Sequence, residues 1–202
     1  MTSSSTKNYL DQFRDRQQIA LVGPLASQLP ALSDPVIFVD GGSNRREGGI
    51  GIAVGDGDSF QGELDIYLDP QKDFSDLAFA LSLVEENFRK IDLFGFTGGR
   101  RDHELLSLGE IFHFLGRRNH PCHANIDTMI DGYSGGSWQL EVQGTFSLIV
   151  FSPSVVSLSG SCKYPIAAGT TIHPVSSLGL SNEGAGTISF TTTAPIFVFH
   201  NR

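Results

Sequence analysis

The fold is decided by the stretch Val36–Gly42 (VIFVDGG), in which four apolar residues run directly into an acidic, glycine-rich turn. A short apolar run bounded by turn residues is typical of a buried strand. The same pattern predicts strands at Gln18–Val22, Ile50–Val54 and Ile91–Phe96. The first half of the chain is therefore expected to contain several short, buried strands.

Two segments whose apolar residues have helical spacing interrupt this series of strands. Apolar residues recur every three or four positions through Leu77–Phe88 and through Leu105–Leu115. Asp73 and Ser75 are capping candidates for the first helix, and Asp102 precedes the second, where an acid suits the helix dipole. Strands that alternate with helices imply an α/β domain with a mostly parallel sheet and Rossmann-like layers.

The chain changes character after Pro121, where the helical spacing disappears. Strand-like runs punctuated by glycine and serine follow at Trp138–Val142, Thr145–Phe151, Val155–Leu158, Thr187–Thr193 and Ile196–Phe199. Short strands at this spacing predict a small, all-β sandwich. We therefore expect an α/β domain over residues 1–120 and a β-sandwich domain over residues 121–202.

Composition and charge narrow the classes of function. The formal net charge is −8 and the isoelectric point is about 5.1, so the surface repels a phosphate backbone and nucleic-acid binding is disfavoured. No apolar run approaches the roughly 18 residues of a membrane span, and residues 1–16 lack the apolar centre of a secretory signal. We expect a soluble, cytoplasmic protein without nucleic-acid or membrane partners. Within the polar N-terminal segment, the helical spacing of Tyr9, Leu10 and Phe13 fits a short docked helix as well as a frayed tail.

Four acidic or glycine-rich clusters follow predicted strands or precede predicted helices, which is where open α/β sheets bind their ligands. They are Asp40–Asn44 (DGGSN), Gly55–Ser59 (GDGDS), Lys72–Asp76 (KDFSD) and Gly98–His103 (GGRRDH). Converging carboxylates repel one another unless a cation joins them, and such hard oxygen ligands suit Mg²⁺. Glycine N–H groups, a helix N-terminus and an arginine can hold phosphate oxygens. Together the clusters predict a site for a nucleotide and magnesium.

Each cluster alone has a simpler interpretation. Asp-Gly-Gly is a common turn, and Gly55–Ser59 could be a calcium loop, although it lacks the spacing and the closing Glu of an EF-hand. Asp73 and Ser75 could be helix caps only. His103 could be an ordinary side chain at a helix start rather than a general base. The functional interpretation depends on the clusters occurring together.

The order of these clusters resembles that of the thiamin pyrophosphokinase family. That family has a D-G-G-A-N-like turn, then G-D-x-D-S, then K-D-x-T-D at a helix start, then G-G-R-x-D-H. The second half of this chain adds Lys163–Ile166 (KYPI), similar to the family's K-Y-P-L, and Gly179–Glu183 (GLSNE), similar to its G-x-S-N-E. The chain is identified as a divergent member, matched from about Val36 to its C-terminus.

The resemblance implies an N-terminal α/β catalytic domain that binds ATP and magnesium, and a C-terminal β-sandwich that binds thiamine and forms a homodimer. It implies that the thiamine hydroxyl attacks the β-phosphorus of ATP, giving thiamine diphosphate and AMP. The catalytic roles would fall to Asp56, Asp58, Asp76 and Asp102, the first three as magnesium ligands and the last as a possible base. ATP would contact Asp40, Gly41, Asp73, Ser75, Gly99, Arg100 and His103. Thiamine would contact Ser181 and Asn182.

The chain departs from the family's pattern beside the nucleotide site. The segments on either side of Gly55–Ser59 are shorter than usual, Gly57 replaces a large apolar residue, and Ser75 replaces threonine. Two alternatives to a thiamin pyrophosphokinase therefore stay open: a relative that acts on another small alcohol, and a non-catalytic module that binds nucleotide or metal. The family places an aromatic residue against thiamine, and Trp138, the only tryptophan, is interpreted as a core residue instead.

Overall fold

The computed structural model describes residues 9–60, 62–174 and 176–201, and the chain is mostly β with few helices. It divides into two compact units, Met1–Ile111 and Phe112–Arg202. The division falls inside a helix, a few residues before the expected boundary at 120/121, because the last turns of that helix pack within the second unit. Phe112 lies 5.8 Å from Phe151, ring centre to ring centre. No helix among the described residues is long and apolar enough to cross a membrane.

The described residues of the first unit form five strands. They are β1 (Gln18–Val22), β2 (Val36–Val39), β3 (Ile52–Gly55), β4 (Ile66–Tyr67) and β5 (Lys90–Phe94). Their order is β5-β1-β2-β3-β4, and every neighbouring pair is parallel. All residues of β2 and β3 are buried, which explains why these strands are continuous apolar runs in the sequence. Because the strands are parallel, the turns that follow β2, β3 and β5 lie along one edge.

Two helices of this part of the chain, α1 (Asp76–Leu83) and α2 (Arg101–Gly116), follow two of the predicted acidic clusters. Ser75 caps α1, since its Oγ accepts a hydrogen bond from the backbone N–H of Ala78 at 3.0 Å. The prediction that α1 continues to Phe88 is wrong. The backbone becomes extended at Val84, and Phe88 is fully buried outside the helix, so apolar spacing there reflects a packed turn.

The N-terminal segment is docked from Tyr9 onward, and residues 1–8 lie outside the described residues. The Tyr9 hydroxyl donates to Asp34 Oδ1 at 2.6 Å and accepts from the backbone N–H of Val36 at 3.1 Å. Leu10 is only 3% exposed. Of the two possibilities left open by the sequence, the docked helical turn is therefore the one observed from Tyr9 to Phe13.

The second unit is an antiparallel ladder. Its strands are β6 (His123–Ile126), β7 (Ile130–Tyr133), β8 (Gly136–Ile149), β9 (Ser154–Cys162), β10 (Ile166–Ile172), β11 (Asn182–Thr192) and β12 (Ile196–Asn201). They lie in the order β10-β9-β11-β8-β12-β7-β6, and each neighbouring pair is antiparallel. The two strands predicted at Trp138–Val142 and Thr145–Phe151 are one strand, β8, which is 14 residues long.

The expected sandwich takes the form of one continuous ladder curled around a core. Tyr133 on β7 and Ile172 on β10 belong to the same buried cluster, although their strands lie far apart in the ladder. Phe146 and Phe190 fill this cluster and are at most 2% exposed. Strands that are distant in the ladder can share a core only if the sheet folds back on itself.

Candidate functional site

Three carboxylates converge at the edge where the parallel strands of the first unit end. Asp40 follows β2, Asp56 follows β3, and Asp76 is the first residue of α1. One oxygen from each lies within 4.8 Å of the others, and all three residues are half-buried. We call this set the carboxylate cluster. Its members come from three separate sequence motifs, which meet because parallel strands end at the same edge.

The backbone around Asp40 is unusual. Asp40 has a φ of +51°, a left-handed conformation that few residues other than glycine adopt. Two residues later, a Cβ on Gly42 would lie 2.1 Å from the carbonyl oxygen of Val22, so only glycine fits there. This turn brings Asp40 back over the end of β3, where Gly55 lies close to its Cα.

Burial and mutual repulsion govern the protonation of the cluster. Burial, and then the charges of Asp76, Asp58 and Asp56, raise the pKa of Asp40 to about 6. Burial also raises the pKa of Asp76, against the opposing effect of the nearby Lys72. The hydrogen bond from Lys72 lowers the pKa of Asp56. At neutral pH the three carboxylates are therefore closely spaced anions. The positive charge of Lys72 offsets their mutual repulsion only in part.

Lys72 is the cation of the cluster, a role that its position in the Lys72–Asp76 motif does not reveal in the sequence. Its Nζ lies 2.8 Å from Asp56 Oδ2 and 3.0 Å from Asp76 Oδ1, and its side chain is only 9% exposed. The contact with Asp76 is an ion pair without an aligned hydrogen bond. Two buried oxygens, Oδ1 of Asp76 and Oδ1 of Asp40, have no hydrogen-bond partner among the described residues.

The donor set fits Mg²⁺. Buried carboxylate oxygens without hydrogen-bond partners are costly unless a cation or water satisfies them, and hard oxygen ligands are those that Mg²⁺ prefers. The structure brings together Asp40, Asp56 and Asp76, whereas the sequence predicted Asp56, Asp58 and Asp76. Asp58 is exposed beside the cluster, and its Oδ1 accepts from Ser59 Oγ at 2.8 Å. Asp40 had been assigned to ATP, because the sequence does not reveal the left-handed turn that aims it inward.

The cluster forms one wall of a cleft of about 460 Å³. Other residues that line this cleft include the predicted ATP contacts Ser75, Arg100 and His103. The lining also contains a set of apolar residues: Pro24, Leu25, Phe74, Phe96 and Leu106. Of these, Leu25, Phe74 and Leu106 are large side chains with 44% to 67% exposure. A cleft lined by both carboxylates and apolar side chains suits a ligand that carries both a metal–phosphate group and a flat ring.

Five of the predicted site residues of the first unit do not line the cleft: Gly41, Asp58, Asp73, Gly99 and Asp102. Gly99 packs against Leu25, which does line the cleft: a Cβ added at Gly99 would lie 2.6 Å from Leu25 Cδ1. Asp102 is paired with Arg100, whose Nη2 and Nε lie 2.6 and 3.2 Å from its carboxylate oxygens. This hydrogen-bonded pair lowers the pKa of Asp102 to about 2, which makes it a weak base at neutral pH.

The two C-terminal motifs meet where the turn between β9 and β10 lies beside the start of β11 in the second unit. Asn182 is 2% exposed, and its side-chain amide bonds both backbone groups of Tyr164: Tyr164 N–H donates at 3.0 Å and Nδ2 donates to Tyr164 O at 2.7 Å. Lys163 Nζ lies 3.0 Å from Glu183 Oε1. Ser181 is exposed in a left-handed conformation, with its N–H bonded to Ser147 Oγ. Asn182 therefore shapes this surface, and the exposed group it presents is Tyr164, which is 55% exposed.

The interpretation of Trp138 as a packed residue agrees with its surroundings. Its Nε1 donates to the carbonyl oxygen of Ser134 at 2.9 Å, and its ring lies 4.9 Å from Tyr133 between ring centres. Trp138 is partly buried against the core of the second unit. Its indole N–H is thus already used within the fold.

The fold was compared with known proteins. No protein-family model matches the chain, and no curated protein matches it. It is similar to the crystal structure of thiamine pyrophosphokinase from Bacillus subtilis, with a TM-score of 0.72 and 26% identity over 92% of this chain and 99% of that chain. It is also similar to that of thiamin pyrophosphokinase from Geobacillus thermodenitrificans, with a TM-score of 0.69 and 25% identity over 92% of this chain and 98% of that chain.

A more distant similarity is to thiamin pyrophosphokinase from Candida albicans, with a TM-score of 0.63 and 13% identity over 93% of this chain and 89% of that chain. These similarities cover nearly the whole of each chain. Three of the ordered motifs contribute to the carboxylate cluster, and the two C-terminal motifs contact each other through Asn182 and Tyr164. These structural similarities support a divergent member of the thiamin pyrophosphokinase family.

Proposed function

We propose that the protein is a thiamin pyrophosphokinase, which transfers pyrophosphate from ATP to the hydroxyl of thiamine. The thiamine oxygen bonds to the β-phosphorus and its hydroxyl proton passes to water. The bond between the β-phosphorus and the α–β bridging oxygen breaks, and AMP leaves with that oxygen. The observation that carries the proposal is the convergence of Asp40, Asp56 and Asp76 within 4.8 Å in one cleft of this fold. Such transfers need alignment and charge neutralisation more than covalent help from the protein.

Asp40, Asp56 and Asp76 would hold magnesium, with Asp58 close enough in the chain to join if the 56–59 loop moves. A bound Mg²⁺ supplies neutralisation of the charge on the transferred phosphates. The residues around the cluster contribute independently of the metal. Ser75 starts α1 at the edge of the cleft, so the N-terminus of this helix directs positive potential toward a bound phosphate.

Arg100 would grip phosphate oxygens. Its guanidinium is 71% exposed, and its partner Asp102 already holds it in a bidentate arrangement. Two oxygens of a phosphate can accept the same pair of guanidinium hydrogen bonds as a carboxylate, and a phosphate carries more negative charge. A bound phosphate can therefore replace Asp102 in this contact. Asp102 is better suited to pre-orienting Arg100 than to acting as the base. His103, which also lines the cleft, is proposed as a further ATP contact.

On the thiamine side we propose that Tyr164 provides the aromatic surface and that Ser181 and Asn182 shape it. Tyr164 is exposed and its backbone is fixed on both sides by Asn182, whereas Trp138 is partly buried and its N–H is occupied. A cationic ring is attracted to the face of an exposed tyrosine. This assignment makes Asn182 a positioning residue rather than a direct thiamine contact.

We further propose that the first unit is a Rossmann-like domain for ATP and magnesium, and that the second unit binds thiamine and forms a homodimer in the cytoplasm. The five parallel strands of the first unit and the antiparallel ladder of the second support this division of roles. Family resemblance supports the dimer. Sedimentation of the purified protein would test it directly.

Product analysis tests the proposed function. The purified protein is incubated with thiamine, ATP and Mg²⁺, and products are identified by mass spectrometry. We expect thiamine diphosphate and AMP, both dependent on Mg²⁺ and both absent without thiamine. Binding of ATP without any thiamine product would contradict the proposal, and would favour a relative that acts on another alcohol or a non-catalytic module.

A further inference from the structure

Lys72 occupies an unusual position for a lysine. Its backbone is fixed by a turn, since its N–H donates to Asp69 O at 3.0 Å, and its ammonium is placed between Asp56 and Asp76. Its side chain is 9% exposed, so the charge is largely removed from water. The two oxygens that it contacts belong to the carboxylate cluster that would hold magnesium.

We propose that Lys72 is a built-in counter-cation that competes with magnesium for the carboxylate cluster and is released into the cleft when the metal binds. The proposal deepens the proposed function and rests on it for the identity of the metal. It assigns a regulatory and positioning role to a residue of this chain. It makes metal binding and the position of the Lys72 ammonium mutually exclusive at Asp56 and Asp76.

The competition follows from charge and space. Three carboxylate oxygens within 4.8 Å of one another repel strongly in a half-buried site, so one cation must accompany them. A single ammonium can contact only some of these oxygens, and Asp40 Oδ1 is left without a hydrogen-bond partner among the described residues. Mg²⁺ carries twice the charge and accepts several oxygen ligands at once. The metal-free cluster is therefore held together by Lys72, and the metal replaces it with a fuller set of contacts.

Once it is released from the carboxylates, the Lys72 ammonium can contact a bound phosphate. The same cleft is lined by Asp56, Lys72, Ser75 and Arg100, so an ammonium displaced from the carboxylates stays in the cleft that contains the proposed phosphate contacts Ser75 and Arg100. A phosphate oxygen is then the nearest suitable counter-ion. Binding of metal and binding of the phosphate chain are thereby coupled through one side chain, and such coupling is reciprocal.

The first test is magnesium binding by the nucleotide-free protein, measured by isothermal titration calorimetry. Lys72→Met keeps the apolar stem but removes the competing charge, so we expect Mg²⁺ to bind roughly 5- to 100-fold more tightly, the usual range for coupled sites. Lys72→Arg keeps the charge and should show no such gain. Lys90→Met removes an exposed lysine that pairs with Asp92 outside the cluster, and should bind Mg²⁺ like the parent protein. Unchanged or weaker Mg²⁺ binding by Lys72→Met would overturn the proposal.

A second measurement uses the unaltered protein, so it does not depend on a variant that folds. Amine acetylation by acetic anhydride is followed by peptide mass spectrometry, with and without MgCl₂, at constant ionic strength maintained with NaCl. We expect Mg²⁺ to increase acetylation of Lys72 severalfold while that of Lys90 stays constant. If Mg²⁺ protects Lys72 or leaves its acetylation unchanged, the ammonium is not displaced and the proposal fails.

These outcomes are separable from the proposed function. Tighter Mg²⁺ binding by Lys72→Met, in a protein that makes no thiamine diphosphate, supports the competition and contradicts the activity. Thiamine diphosphate formation by the parent protein, with unchanged Mg²⁺ affinity in Lys72→Met, supports the activity and contradicts the competition.

Discussion

Asn182 holds Tyr164 by both of its backbone groups, at 3.0 and 2.7 Å, while the tyrosine ring stays exposed. The two residues belong to motifs that lie 18 positions apart in the sequence. The contact explains why the motifs occur together, because the buried amide of one fixes the backbone of the other. Under the proposed function, Asn182 would act on thiamine through Tyr164.

Asn182→Ala should therefore affect thiamine more than ATP. Removal of the amide leaves the backbone groups of Tyr164 without partners, and we expect a loss of about 1–3 kcal/mol of unfolding free energy. We expect the KM for thiamine to rise about tenfold while the KM for ATP changes less than twofold. Steady-state kinetics and urea denaturation check this, with Gln139→Ala on the exposed face of β8 as the control. Equal rises in both KM values would show a general loss of structure instead.

The turn after β2 gives a test by matched glycine substitutions. Gly42→Ala places a Cβ 2.1 Å from Val22 O, so we expect a loss of several kcal/mol, on the order of 3, and displacement of Asp40. Gly109, in α2, has nothing within 4 Å of its added Cβ. Gly109→Ala should stabilise the protein by about 0.5–1 kcal/mol through its better helix propensity. Thermal denaturation of both variants checks the prediction, and a stable Gly42→Ala would contradict the packing of this turn.

The strand ends of the first unit could be predicted from the sequence because buried parallel strands are continuous apolar runs that stop at acidic or glycine-rich turns. The clusters at Asp56 and Asp76 followed from that. The inward position of Asp40 could not be predicted, since it depends on a left-handed φ of +51° that a general Asp-Gly-Gly turn does not specify. The contacts of Lys72 could not be predicted either, because they join a turn, the end of β3 and the start of α1.

Several strands escaped prediction for physical reasons. β4 is only two residues long. β6 and β7 carry polar residues at positions where a buried strand would be expected to be apolar. These residues satisfy one another instead: Asp131 contacts His123 Nε2 at 2.6 Å and His200 Nε2 at 2.8 Å, and accepts from Asn125 Nδ2 at 3.0 Å. The sequence shows such polar residues but not their pairing.

Asp131 also makes the stability of the second unit depend on pH. Burial would raise its pKa, but the hydrogen bonds with His123, His200 and Asn125 prevail and lower it well below the usual value. A lowered carboxyl pKa contributes stability that is present above the unfolded-state pKa of about 4 and is lost as the pH falls further. Asp131→Asn should therefore show a flatter decline of unfolding free energy between pH 5 and about 2.5. Urea denaturation across this range checks it, and parallel declines in the two proteins would contradict the assignment.

Neighbouring leucines of α2 separate cleft binding from folding. Leu106 lines the cleft and is 67% exposed, whereas Leu105 is 61% exposed and does not line it. Because both side chains are exposed, alanine at either position should change the unfolding free energy by less than about 0.5 kcal/mol. We expect Leu106→Ala alone to raise the KM for ATP, by about three- to tenfold for the loss of one apolar contact with a ring. Equal kinetics for the two variants would remove Leu106 from the nucleotide site.

The most direct test of the account is the stoichiometry of products in the parent protein and in Asp56→Asn. The control is Asp11→Asn, which changes a partly exposed acid that pairs with Arg14 near the N-terminus, outside the cleft. AMP and thiamine diphosphate are quantified from one reaction with ATP, thiamine and Mg²⁺. We predict equal amounts of the two products in the parent and in Asp11→Asn. Asp56→Asn should lose about a hundredfold or more of the rate with an almost unchanged melting temperature, as removal of a metal ligand implies. ADP with thiamine monophosphate as products, or full activity in Asp56→Asn, would contradict the account.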